Sequence, residues 1–216
     1  MADTLALIGG TGPEGKGLAA RFARAGLSVI IGSRSAERGE DVAREIREVA
    51  GGSISGAANA DAALSADVIL VTLPYSGLED TLPPLAGAIG NKIVISTVVP
   101  LEFSGGRASI MQIDDGSAAE ETKRLLPEAR IVGAFQNLAA HKLFDLAQHV
   151  EGDVIVTSDD REALREVMAL AERIEGIRGV NGGGLRASRF VEGITALLVG
   201  INRNYKTEAH VKIVGI

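Results

Sequence analysis

The stretch Leu5-Ala6-Leu7-Ile8-Gly9-Gly10-Thr11-Gly12-Pro13-Glu14-Gly15-Lys16-Gly17 decides the fold of this chain. Its four leading apolar residues read as a buried strand, and Lys16 to Ala25 reads as a helix ended by Gly26. Between them stands G-x-G-x-x-G at Gly10, Gly12 and Gly15. Alone this spacing is weak; a strand before it and a helix after it raise its value. The first glycine permits the tight turn, the second lets a pyrophosphate approach the backbone, and the third lets helix and strand pack closely. The helix start then offers free N–H groups and a positive dipole end to phosphates.

The next strand, Leu27 to Ile31, ends in Gly32-Ser33-Arg34-Ser35-Ala36-Glu37-Arg38. A dinucleotide site for NAD usually carries Asp or Glu at such a strand tip, to hold the ribose 2′-OH. Here hydroxyls and two guanidiniums stand there instead, a set suited to a 2′-phosphate dianion. An Arg at a helix start is electrostatically misplaced unless an anion meets it. NADP(H) is therefore expected at Ser33, Arg34 and Arg38.

Further along, a helix is expected over 36–50, stopped by Gly51 and Gly52. Strands are expected at 53–57, 67–73, 92–98, 130–135 and 153–157. Helices should fill 77–88, 118–126 and 161–174. DVILVTL and KIVISTV are near-continuous apolar runs, as in parallel strands covered on both faces. This alternation implies an α/β fold, a Rossmann-type doubly wound parallel sheet with a small C-terminal helical capping region. A nucleotide domain over residues 1–136 and a small domain over 137–216 are expected, with a long helix near 185–204. That helix is apolar around much of its girth, so it should bury against the domain or a second subunit. A homodimer follows as the expected assembly.

Composition excludes several classes. A formal charge of −6 argues against a nucleic-acid partner. With no cysteine, thiolate catalysis and cysteine-based zinc sites are out, and three scattered histidines make no metal site. MADTLALIGG lacks the basic start and long apolar stretch of a signal peptide, and no run approaches the length of a membrane span. A cytoplasmic protein without a membrane partner is expected.

At the glycine loop the sequence resembles the NADPH-dependent coenzyme F420 reductases, also called F420:NADP oxidoreductases. The matching stretches are LIGGTGPEGKGLAARFARAG, VIIGSR with Arg38 beyond it, DVILVTLP and KIVISTVVP, then LRASRFVEGITALLVGINR and the closing VKIVGI. The resemblance implies hydride exchange between NADPH and a deazaflavin coenzyme, F420, stacked against the nicotinamide. The cofactors carry the chemistry and the protein positions them. By position, Gly10, Thr11, Gly12, Pro13, Glu14 and Gly15 would hold the pyrophosphate, Leu73 and Pro74 the adenosine and ribose side, and Val98, Val99 and Pro100 the nicotinamide.

The sequence departs from the family pattern at Gln136, where family members commonly carry His. Gln136 and Asn137 are the candidate catalytic pair facing the reacting rings. A His can exchange a proton near neutral pH, whereas a Gln can only hydrogen-bond. That difference opens a second reading, an NADPH-dependent reductase of a flavin or of a small carbonyl or imine. A third, of another class, is a non-catalytic NADP-sensing module. His141 is weighed as a proton donor or plain surface, and Arg186 and Arg189 as partners of an acidic coenzyme tail or a solvated face. The acids at Asp114, Asp115, Glu120, Glu121, Asp159 and Asp160 read as loop and helix-start residues.

Overall fold

The computed structural model describes residues 3–216. In chain order the first elements are β1 (Thr4–Ile8), α1 (Pro13–Arg24), β2 (Ser28–Ser33), α2 (Ala36–Ala50), β3 (Ile54–Ala58) and α3 (Asn59–Ser65). Then come β4 (Val68–Val71), α4 (Leu78–Thr81), α5 (Ala86–Ile89), β5 (Ile93–Ser96), β6 (Leu101–Ser104), β7 (Arg107–Ile110), α6 (Ala118–Leu125) and β8 (Arg130–Gly133). The chain closes with α7 (Ala140–Phe144), β9 (Gly152–Val156), α8 (Arg161–Ala171), β10 (Ile177–Asn181) and α9 (Ser188–Tyr205).

Six strands form one parallel sheet in the order β3-β2-β1-β4-β5-β8. The order reverses between β1 and β4, the switch point where doubly wound sheets open a crevice beyond their strand ends. Alternate residues of β1 feed two cores: Leu5 and Leu7 join the cluster of Leu18, Phe22 and Ile31, while Ala6 and Ile8 join that of Ile69, Val71 and Val94. Both faces are thus covered, which is why β4 and β5 are apolar at nearly every position.

Several local expectations needed revision. The helix expected over 77–88 is broken into α4, α5 and short 3-10 turns. Pro83 and Pro84 supply no backbone N–H there, so a continuous helical ladder cannot form. The strand at 153–157 does not join the main sheet. As β9 it pairs in parallel with β10, and one bridge between Gly133 and Thr157 links the two sheets. The hairpin of β6 and β7, and helices α3 and α7, carried no clear periodic signal because each is only four to seven residues long.

The C-terminal part is bound tightly to α1. A Cβ on Gly17 would stand 2.6 Å from Leu143 Cβ and 2.9 Å from the Ala140 carbonyl, so α7 rests directly on the α1 backbone. The Arg21 guanidinium donates to the carbonyls of Lys142, Leu143 and Asp145 at 2.8 Å and of Gln148 at 2.9 Å. Phe22 meets Phe135 edge to face, ring centres 5.7 Å apart.

Candidate functional site

At the switch point the first strands are laced together just beyond their ends. Thr72 Oγ1 donates to the Ile8 carbonyl and Thr97 Oγ1 to the Val71 carbonyl, each at 3.1 Å. The Gly10 N–H donates to the Leu7 and Gly32 carbonyls at 3.1 Å and closes the turn. A Cβ on Gly15 would lie 2.6 Å from the Gly10 carbonyl oxygen, so helix and loop touch backbone to backbone. Above Gly12 there is open space, with nothing within 4 Å of a Cβ placed there. Helix α1 starts at Pro13 and no side chain caps it, so its first N–H groups face that space.

The space belongs to a cleft of ≈ 940 Å³ that runs from the glycine loop to the β2 tip and across to Leu73 and Pro74. Of the residues expected from sequence, Thr11, Gly12, Pro13, Glu14, Ser33, Arg34, Arg38, Leu73 and Pro74 line it. Gly10 and Gly15 are buried beneath, as structural members of the turn. Arg34 and Arg38 are exposed, and neither guanidinium forms an ion pair or side-chain hydrogen bond among the described residues. Ser35 caps α2, its Oγ accepting from the Arg38 N–H at 3.3 Å. Sequence reasoning missed Asn59, which lies buried under the cleft and accepts from the Gly9 N–H at 3.4 Å. Its only signal was a polar residue at a strand-to-helix junction.

Glu14, on the first turn of α1, has one carboxylate oxygen enclosed without a hydrogen-bond partner among the described residues. Burial pushes its carboxyl up to about 8.

Beyond β5 and β8 the character changes. Val98 and Pro100 are buried and Val99 is partly open. Phe135 takes a left-handed conformation, φ 73°, uncommon for a residue with a side chain. Thr195 of α9 donates to the Gln136 carbonyl at 3.0 Å, and Asn137 Nδ2 donates to the Val191 carbonyl and to Thr195 Oγ1, both at 3.0 Å. The segment 135–137 is therefore pinned to α9. Yet the Gln136 side chain, 6% exposed, has neither amide nitrogen nor oxygen hydrogen-bonded among the described residues.

The neighbouring ionic groups are structural. Glu192 is 1% exposed and accepts from the Ala118 and Ala119 N–H groups at 2.9 and 3.2 Å, where it serves the start of α6; burial holds its carboxyl up to about 7. Arg189 pairs with Glu120 at 2.8 Å, so its charge is already met, while Arg186 stays exposed. His141 is exposed on α7 and does not line the cleft.

Sheet order, glycine loop and switch-point cleft define a Rossmann-type dinucleotide-binding α/β protein. Comparison with known proteins narrows the class. Residues 4–100 match the family described as NADP oxidoreductase coenzyme F420-dependent. The F420-dependent NADP reductase of Methanothermobacter thermautotrophicus is 41% identical, over 100% of this chain and 97% of that protein. That of Methanocaldococcus jannaschii is 38% identical, over 94% of each. The chain belongs to the family of F420-dependent NADP reductases. In structure it is similar to a candidate F420-dependent NADP reductase of Arthrobacter sp. FB24, with TM-score 0.84, 22% identity and full coverage of both chains. It also shares its fold with an imine reductase of Bacillus cereus, at TM-score 0.65 and 15% identity over 94% of this chain and 62% of that one.

Proposed function

We propose that this protein is an F420-dependent NADP reductase that brings NADPH and the deazaflavin ring of F420 face to face at the C-terminal edge of its sheet. The observation that carries this reading is the pairing of two unspent recognition sets on opposite sides of the switch point. Among the described residues, two guanidiniums at the β2 tip are unpaired and a buried amide beyond β8 has no partner. The first set fits a 2′-phosphate, through charge-assisted and bidentate hydrogen bonds from Arg34 and Arg38 with Ser33 beside them.

The second set fits a polar heterocycle. A buried donor and acceptor left unmade cost about 1–3 kcal/mol each, a cost that a bound ring edge relieves. NADPH and F420 supply the hydride donor and acceptor when bound. The chain's part is to hold the phosphates on the α1 start, to orient the rings with Val98, Val99, Pro100, Gln136 and Asn137, and to keep water from between them. The reduced ring also takes up one proton, which solvent can supply, so no residue of the chain needs to provide it. In that division residues 1–136 bind the nucleotide and 137–216 close over the second ring. The imine and carbonyl reading has only a shared fold behind it, since the likeness to the imine reductase is at 15% identity.

The test is absorbance of purified protein with NADPH and oxidised F420. Simultaneous loss of both chromophores is expected; NADPH that binds without reducing F420 overturns the reading.

A homodimer in the cytoplasm completes the proposal. Phe190 and Leu197 stand two turns apart on α9, 72% and 62% exposed, with Phe103 of the β6–β7 hairpin 68% exposed. An apolar helix face of this kind is covered by a partner copy in a symmetric dimer. Sedimentation should give twice the chain mass, and Phe190→Asp with Leu197→Asp should give the monomer.

A further inference from the structure

The phosphate end of the cleft carries an electrostatic misfit. Helix α1 meets the pyrophosphate site with Glu14, at its second position, and the glycine loop offers no cation to offset it. Lys16, the nearest on the same helix, is turned away onto Glu45 of α2 at 2.6 Å. Among the described residues the other charged groups lining the cleft are Arg34 and Arg38 at the β2 tip and Asp80 on α4. On α7, packed against α1, His141 and Lys142 do not line it, and Arg21 is spent on carbonyls. Burial raises the Glu14 carboxyl.

Glu14 continues the stripe of Leu18 and Phe22, four and eight residues on and both fully buried. Its enclosed oxygen has no partner. In the free protein the α1 N-terminus still favours a carboxylate. A bound pyrophosphate takes those same N–H groups and places two negative charges beside the carboxyl, in a site where water screens poorly.

We propose that Glu14 is a proton-carrying ligand of the dinucleotide: it enters the complex as a neutral carboxylic acid, donating to a pyrophosphate oxygen, and NADPH binding at alkaline pH takes up about one proton from solvent. This rests on the reading of the cleft as the NADPH site. Below the free-state value of about 8 the acid is already neutral and affinity is flat. Above it, each binding event must first protonate the carboxylate, and affinity falls about tenfold per pH unit. The 2′-phosphate, with a second pKa of about 6, is about nine-tenths ionised at pH 7 and contributes little over this range.

The experiment measures NADPH affinity by fluorescence between pH 7 and 9, and proton uptake by calorimetry at pH 9 in buffers of different ionisation heat. The wild type should bind about tenfold more weakly at pH 9 than at pH 7 and take up nearly one proton. Glu14→Gln, a neutral donor of the same shape, should bind equally at both pH values with no uptake. Glu14→Leu, which extends the apolar stripe, should be equally flat and serves if the Gln variant folds poorly. A wild-type affinity that is flat to pH 9, or a slope that survives both substitutions, overturns the inference. Absence of NADPH binding at pH 7 would instead remove the cofactor assignment itself.

Discussion

The two ends of the proposed site are built by opposite means. At the β2 tip Arg34 and Arg38 are exposed, charged and unattached. Beyond β8 the segment 135–137 is buried, uncharged and clamped by Asn137 and Thr195, with one amide left over. A phosphate dianion can be gathered by flexible cations that stay solvated until it arrives, because charge acts over distance. A ring that must lie within hydride reach of another needs a fixed wall, and a neutral hydrogen bond works only at contact. The glycine loop between them belongs to neither type; its close turn at Gly10 and Gly15 presents mainly backbone.

Substitutions can break or sharpen this contrast. The largest effect is expected at the loop that both ends share. Gly15→Val places atoms into the Gly10 backbone, 2.6 Å from its carbonyl oxygen, and should abolish NADPH binding with a clear fall in melting temperature. Next comes the charged end. Arg34→Ala with Arg38→Ala should weaken NADPH by on the order of ten- to a hundredfold while leaving NADH unchanged, read as a ratio of Kd values. Equal losses for both dinucleotides would mean that the arginines do not meet the 2′-phosphate.

At the buried end the sign for stability reverses. Gln136→Leu removes a donor and an acceptor that the free protein leaves unmet, so the apo protein should gain about 1–2 kcal/mol while F420 reduction slows. A variant that loses stability would mean that the amide is satisfied in the free protein. A further effect is the pH profile of the apo protein. Glu14 and Glu192 titrate at about 8 and about 7, above their unfolded value near 4.5. Their stabilising contribution is complete below pH 4.5 and is lost as pH rises through 7 and 8. The melting temperature should therefore decline from pH 5 to pH 8 and level off above it, and Glu14→Leu should flatten the part of the decline above pH 7.

Much of the charged end could be read from sequence because it is local. The strand, the glycine spacing and the GSR tip lie within 35 residues, and each motif has a backbone reason for its spacing. The buried end depends on contacts far apart in the chain. Asn137 meets Val191 and Thr195 across 54 and 58 positions, and no period or motif encodes such a clamp. Gln136 was visible only as a departure from a family pattern, and its unsatisfied state needed the structure. Asn59 was missed for the same reason, since its role is to hold Gly9 from 50 residues away. The apolar girth of α9 was legible, but not that Phe190 and Leu197 would remain uncovered. The pair β9–β10 escaped because a strand's apolar run does not say which sheet it joins.

Direct transfer between two stacked rings is tested with NADPH carrying deuterium at both C4 positions. Mass analysis of the reduced coenzyme after reaction in ordinary water should find the deuterium on the deazaflavin carbon that accepts the hydride. Reduced F420 without label, its hydrogen drawn from solvent, would contradict the account.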